Sequence, residues 1–140
     1  MTRNEQVILL NTTVKCILGV SKISGVGVIA IRDISKGNRC FVRRMKGDTQ
    51  AILDLTFSAL KEVDEDIREM ILGRWPNIYN GQQFYHPNDD ARLLSFVNHS
   101  DAPNFNPIND TAIRDIKAGE EITENYRTVE NYKEIYKWLN

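Results

Sequence analysis

Two glycines, Gly25 and Gly27, stand inside a β-branched run, Val26-Gly27-Val28-Ile29-Ala30-Ile31. Taken alone, Gly25 to Ala30 fits the G-x-G-x-x-A pattern of dinucleotide sites, where the glycines lead directly into a helix whose N-terminus holds a pyrophosphate. Val28, Ile29 and Ile31 are stiff at χ1 and pack well on a pleated surface, so the residues after Gly27 predict a strand instead. Without its helix the motif is either a structural β-turn or a loop whose glycines let a ligand approach the backbone. A nicotinamide-dependent oxidoreductase is set aside on that ground.

The bulk numbers narrow the class. The 140 residues are 41% hydrophobic and 26% charged, which predicts one soluble domain with a modest core and no room for a second. Eighteen basic against nineteen acidic residues leave a net charge of -1, and no Lys/Arg block is dense enough to track phosphates, so nucleic acid is not an expected direct partner. Cys16 and Cys40 lack the spacing of a tetrahedral zinc site and predict two reduced, buried thiols with no metal. The apolar run Val7 to Leu10 is too short for a signal peptide or a membrane span, and Asn11, Thr12 and Thr13 follow at once. The expected location is the cytoplasm or nucleus, where the sequons at Asn11, Asn98 and Asn109 are chance matches.

Along the chain, Val7 to Val20 and Val26 to Arg32 read as strands, as does the alternating stretch Arg39 to Arg43, so the N-terminal third is expected to be mostly β. Leu60, Val63, Ile67, Met70 and Ile71 recur at helical spacing and predict a helix near Val63 to Leu72, inside a helical insertion over about 49–75. Asn77 to Asp90 reads as loop with short strands, with Tyr79, Phe84 and Tyr85 interleaved. Thr111 to Ile116 and Glu121 to Tyr126 flank the Lys117-Ala118-Gly119-Glu120 turn as a hairpin-like pair. Tyr132, Ile135, Tyr136 and Leu139 share one helical face and predict a C-terminal helix over about 129–139.

Two further segments carry chemistry. In Phe96-Val97-Asn98-His99-Ser100-Asp101-Ala102-Pro103-Asn104, polar side chains follow directly on the apolar run Leu93 to Val97, and buried polar groups need partners that either the turn itself or a bound polar ligand can supply. In Gly119-Glu120-Glu121-Ile122-Thr123-Glu124-Asn125-Tyr126, Tyr126 is by itself an ordinary core aromatic with a hydroxyl to satisfy. Together, a G-x-G strand-turn, an N-H-S-x-x-P-N segment and a G-E-E-I-T-x-N-Y segment, in that order, resemble the SET-domain protein-lysine methyltransferases, in particular the small free-standing viral and bacterial proteins. The likeness spans nearly the whole chain.

The resemblance implies a mainly β fold with α insertions, the SET (β-clip) arrangement of several small sheets with a pseudoknot-like C-terminal crossing. It also implies methyl transfer from S-adenosylmethionine to the ε-amine of a protein lysine, leaving S-adenosylhomocysteine, with a histone or other chromosomal protein as one possible substrate and a homodimer as one possible state. By that similarity Tyr126 is the catalytic tyrosine and also borders the cofactor. Asn98 bonds the methionine portion, His99 contributes backbone contacts near the adenine, Ser24, Gly25, Val26 and Gly27 approach by backbone, and Phe96 walls the site. Tyr79, Tyr85, Glu124 and Tyr132 are the expected lining of the lysine channel, with Tyr136 an alternative to Tyr132 in the tail. The family pattern is departed from at Ser95, at Asp101 and above all at Glu124, where relatives often place Phe or Tyr. The rival reading is a catalytically silent SET-fold module that binds a partner.

Overall fold

The computed structural model describes residues 2–42, 52–56, 58–74, 83–88 and 93–140. They divide into two units, Met1–Ile17 with Phe41–Ser95, and Leu18–Cys40 with Phe96–Asn140.

The first unit opens on a helix, α1 (Arg3–Thr13), where the sequence reading expects strand. Val7 and Ile8 do favour strands, but a capping box overrides them: the Thr2 hydroxyl accepts from Glu5 N at 3.1 Å and the Glu5 carboxylate accepts from Thr2 N at 2.8 Å. The last turn is held by Thr12, whose hydroxyl donates back to Ile8 O, and by Thr13, which donates to Leu9 O. Only Cys16–Val20 (β1) is extended. α1 buries Gln6, Val7 and Leu10 and packs on β3 (Ile52–Asp54) and the short 3-10 helix Ala59–Glu62. Asn11 ties these together, donating to Glu62 O and accepting from Asp64 N. There α2 (Glu65–Arg74) begins and buries Ile67, Met70 and Ile71, as their spacing predicts. The segment 49–75 thus holds a strand as well as helices. β3 pairs antiparallel with β4 (Gln83–Tyr85). Two buried polar residues follow: His86 Nδ1 accepts from Asn88 N, and the Asn88 side chain accepts from Lys15 N and Cys16 N while donating to Cys16 O.

The second unit is built on one four-stranded sheet in the order β1, β2 (Val26–Ala30), β8 (Glu121–Glu124), β5 (Asn98–His99). β8 lies antiparallel to β2, with Val28 opposite Ile122 and Ile29 opposite Glu121, and parallel to β5, with Asn98 opposite Thr123 and His99 opposite Glu124. Strands far apart in sequence therefore flank β8, which is the crossing that the family resemblance implies. The expected hairpin of Thr111 to Ile116 with Glu121 to Tyr126 does not form. β7 (Thr111–Ala112) pairs instead with β6 (Phe105–Asn106), because the buried Asn104 claims β8 by donating to Glu121 O and accepting from Thr123 N. Arg39 forms an isolated bridge to Thr111, and the strand expected over Arg39 to Arg43 is absent among its described residues. Val28, Ala30, Ile34, Phe105, Ile116 and Ile122 fill the core. Cys16 in the first unit and Cys40 in the second are both buried thiols. The tail carries α3 over Tyr132–Ile135 alone, shorter than the expected 129–139. Asn131 at its start has a left-handed backbone (φ 61°) with no side-chain cap, and Tyr136 leaves helical geometry.

No helix among the described residues is long and apolar enough to cross a membrane.

Candidate functional site

The turn at Asn98 and the end of β8 meet at Tyr126. The Tyr126 hydroxyl donates to Val97 O at 2.6 Å, and Tyr126 N donates to His99 Nδ1 at 3.1 Å. Burial first, then the carboxylate of Glu124, and then Tyr136 and Glu121, push the Tyr126 phenol above its ordinary value, so at neutral pH it remains a proton donor. A ring nitrogen that accepts carries no proton, which leaves His99 Nε2 to donate to Asp101 Oδ1 at 3.0 Å. Asp101 also accepts from Arg127 Nη1 at 2.7 Å, and the Arg127 bond followed by the His99 bond hold its carboxyl below the usual range. Arg127 Nε reaches on to Asn140 O at 2.8 Å.

Rings from the tail close over this junction. Tyr136 stacks on Tyr126 with centroids 4.6 Å apart, and Trp138 meets His99, Tyr126 and Tyr136 edge-on at 5.9, 6.2 and 6.2 Å. Of the two tail tyrosines considered from sequence, it is Tyr136 that reaches Tyr126; Tyr132 lies half-buried in α3 and makes no ring contact among the described residues.

The Asn98 side chain faces the G-x-G turn. Its Nδ2 lies 3.1 Å from Ser21 Oγ, 3.2 Å from Ser24 O, 3.1 Å from Val26 O and 3.0 Å from Glu121 Oε2. The turn is closed by Ser21 N donating to Gly25 O, with Gly25 at φ 51°, and a side chain at Gly25 would project into open space. Beside it runs an open groove of about 670 Å³ whose walls include Val20, Lys22, Ile23, Ile29, Gly119 and Glu121.

Glu124 is half-buried in register with His99, and burial raises its carboxyl above the ordinary value. Phe96 sits in the 3-10 helix Leu94–Phe96 and is 41% exposed. Tyr79 lies outside the described residues, and Tyr85 is described only as the last residue of β4. Ser24 to Gly27, Asn98, His99 and Tyr126, named together from sequence, fall in one unit, where Ser21, Glu121 and Trp138, to which the sequence reading gives no role, bond or pack against them. Glu121 belongs to a quoted motif but its partner Ser21 is 100 residues away, and nothing local signals that pairing.

A SET-domain family model matches residues 25–127. No curated protein matches the chain. Solved structures similar to it include a humanized mutant of the Chaetomium thermophilum Polycomb Repressive Complex 2 bound to the inhibitor GSK126, at 22% identity, TM-score 0.43, covering 88% of this chain and 16% of that one. The Chaetomium thermophilum complex bound to GSK126 matches at 20% identity, TM-score 0.43, covering 91% and 18%. ctPRC2 in an autoinhibited conformation bound to S-adenosylmethionine matches at 21% identity, TM-score 0.42, covering 91% and 17%. The present chain spans less than a fifth of the length of each of these.

Proposed function

The chain belongs to the SET-domain family, and from that premise we propose that it transfers a methyl group from S-adenosylmethionine to the ε-amine of a lysine on a protein. The observation that carries the proposal is the junction at Tyr126, where one residue's hydroxyl and amide bond both Val97 and His99 on either side of Asn98. The residues also fit the cofactor. The Asn98 Nδ2 faces acceptors of the G-x-G turn and Glu121, which turns its Oδ1 away from them to accept from an ammonium group, and the turn presents backbone with open space at Gly25. S-adenosylmethionine, when bound, supplies an electrophilic methyl on a sulfonium.

On this reading the chain's own residues do the following. Ser24, Gly25, Val26 and Gly27 bind through backbone, and Asn98 and His99 fix the orientation. A free lysine has a pKa of about 10.4, so the site must favour the neutral amine, and a partly dry surround disfavours the ammonium. The Tyr126 hydroxyl orients the reacting groups by a preorganised dipole, and holding amine and methyl in line removes much of the entropic barrier. Glu124 in the lysine channel would raise the pKa of an incoming amine if ionised, and burial, which raises the carboxyl's own pKa, weakens that opposition. A lysine-bearing protein, a histone or another chromosomal protein among them, is the proposed substrate. The buried thiols suit a reducing compartment.

The test is methyl transfer to a lysine-rich peptide library, with Tyr126→Phe as control and calorimetry of S-adenosylmethionine binding alongside. Equal product from both proteins would remove Tyr126 from its role. A catalytically silent binding module is the second reading, favoured by the Tyr136 ring stacked against Tyr126. It predicts no transfer to any peptide.

A further inference from the structure

We propose that Glu121 is a positioning residue for cofactor binding, acting with Ser21 to set both the shape of the Ser21–Gly25 loop and the orientation of the Asn98 amide. The inference rests on the methyltransferase reading above, and goes beyond it in giving the Glu121 carboxylate a role and in adding the Ser21 hydroxyl.

Ser21 Oγ receives three donors, Ile23 N at 2.9 Å, Ser24 N at 3.1 Å and Asn98 Nδ2 at 3.1 Å. A hydroxyl has two lone pairs for these three N–H groups to share and one proton of its own, and since none of the three can accept, the proton has one direction left. That direction is the Glu121 carboxylate, whose oxygens lie 2.7 and 2.9 Å from Ser21 Oγ. Glu121 therefore fixes the rotor of the hydroxyl around which the loop is wound.

The same carboxylate orients Asn98. A primary amide has two N–H bonds, yet four acceptors crowd Asn98 Nδ2, and of these only Glu121 Oε2, at 3.0 Å, is charged. It fixes which end of the amide faces the loop, and so which end, the Oδ1 acceptor, faces away. Gly27 belongs to the same arrangement. A Cβ there would stand 2.6 Å from Glu121 Oε2 and 3.1 Å from Ser21 Cβ, so the second glycine of the motif makes room for the carboxylate.

Calorimetric titration of the full chain with S-adenosylmethionine, on the parent, Ser21→Ala, Glu121→Ala and the double variant, tests this. Each single change is expected to raise Kd about tenfold, the size of one charge-assisted hydrogen bond, with kcat at saturating cofactor within about twofold of the parent. The double variant is expected to bind no more weakly than the weaker single, because both act through one network. A Kd within about twofold of the parent in Glu121→Ala, or fully additive losses in the double variant, overturns the inference and leaves the methyltransferase reading standing. A parent that binds no cofactor overturns that reading itself, and the inference with it. Ser21→Ala, a small change at a turn, keeps the test decisive should Glu121→Ala fail to fold.

Discussion

The hydroxyl of Tyr126 donates to the carbonyl of Val97 at 2.6 Å, across 29 positions of sequence. Val97 is 2% exposed, so that carbonyl depends on the phenol for a partner. Tyr126→Phe is expected to lower unfolding stability by about 1 kcal/mol, measured in urea. Methyl transfer is expected to fall roughly a hundredfold or more with little change in cofactor affinity, since the dipole acts where charge moves. A variant as active as the parent would break the link between this bond and catalysis.

Glu124 gives a pH dependence whose sign is opposite to that of a salt-bridged carboxylate. Its folded-state pKa is raised by burial. Below the ordinary glutamate range, about 4.3, the group is protonated in both states and has no effect on stability. As pH rises from there through the raised folded value, the unfolded chain ionises first and stability is lost. Glu124→Gln is therefore expected to match the parent at pH about 4 and to exceed it at pH about 8, read from denaturant midpoints at each pH. In the transfer assay the same variant is expected to move the acid limb of the kcat/KM profile to lower pH, because a neutral amide no longer favours the ammonium form of the substrate.

Arg127 joins Asp101 to the carbonyl of Asn140 and so fastens the tail that carries Tyr136 and Trp138. In Arg127→Ala, amide exchange at Tyr136 and Leu139 is expected to quicken while that of Ile122 and Thr123 in β8 is unchanged. High salt is expected to mimic the substitution in part, because Asp101 is exposed and its attraction to Arg127 is screened. Uniform exchange across tail and sheet would show that the tail is not a separate unit.

Thr2→Ala removes half of the capping box on α1. The expected loss is about 1 kcal/mol of unfolding stability, with helix content at the N-terminus reduced, read by urea titration followed by circular dichroism.

The motif residues were legible because their chemistry is local. Gly25 needs a positive φ, Val28 and Ile29 need a strand, and Asn98 to Asn104 end an apolar run in turn formers, so the strand after the glycines and the turn after Val97 follow from the residues themselves. α1 was not, although its signal was present. Thr2 and Glu5 spell a capping box, and two side-chain bonds at the helix start outweighed the strand preference of the residues behind them.

What the sequence alone determined, then, is the set of parts: the glycine turn, the Asn98 segment, the Tyr126 segment and the family they mark. Tertiary structure decided how they are joined. That β8 pairs with β2 and β5 and not with Thr111 to Ile116, that Glu121 answers Ser21, and that Tyr136 covers Tyr126 are all contacts between distant residues. Propensity and spacing act within a few residues of chain, whereas the choice among long-range partners depends on which pairing leaves no buried polar group unsatisfied, and in this chain the buried Asn104, clamped to both edges of the Ile122 peptide, made that choice.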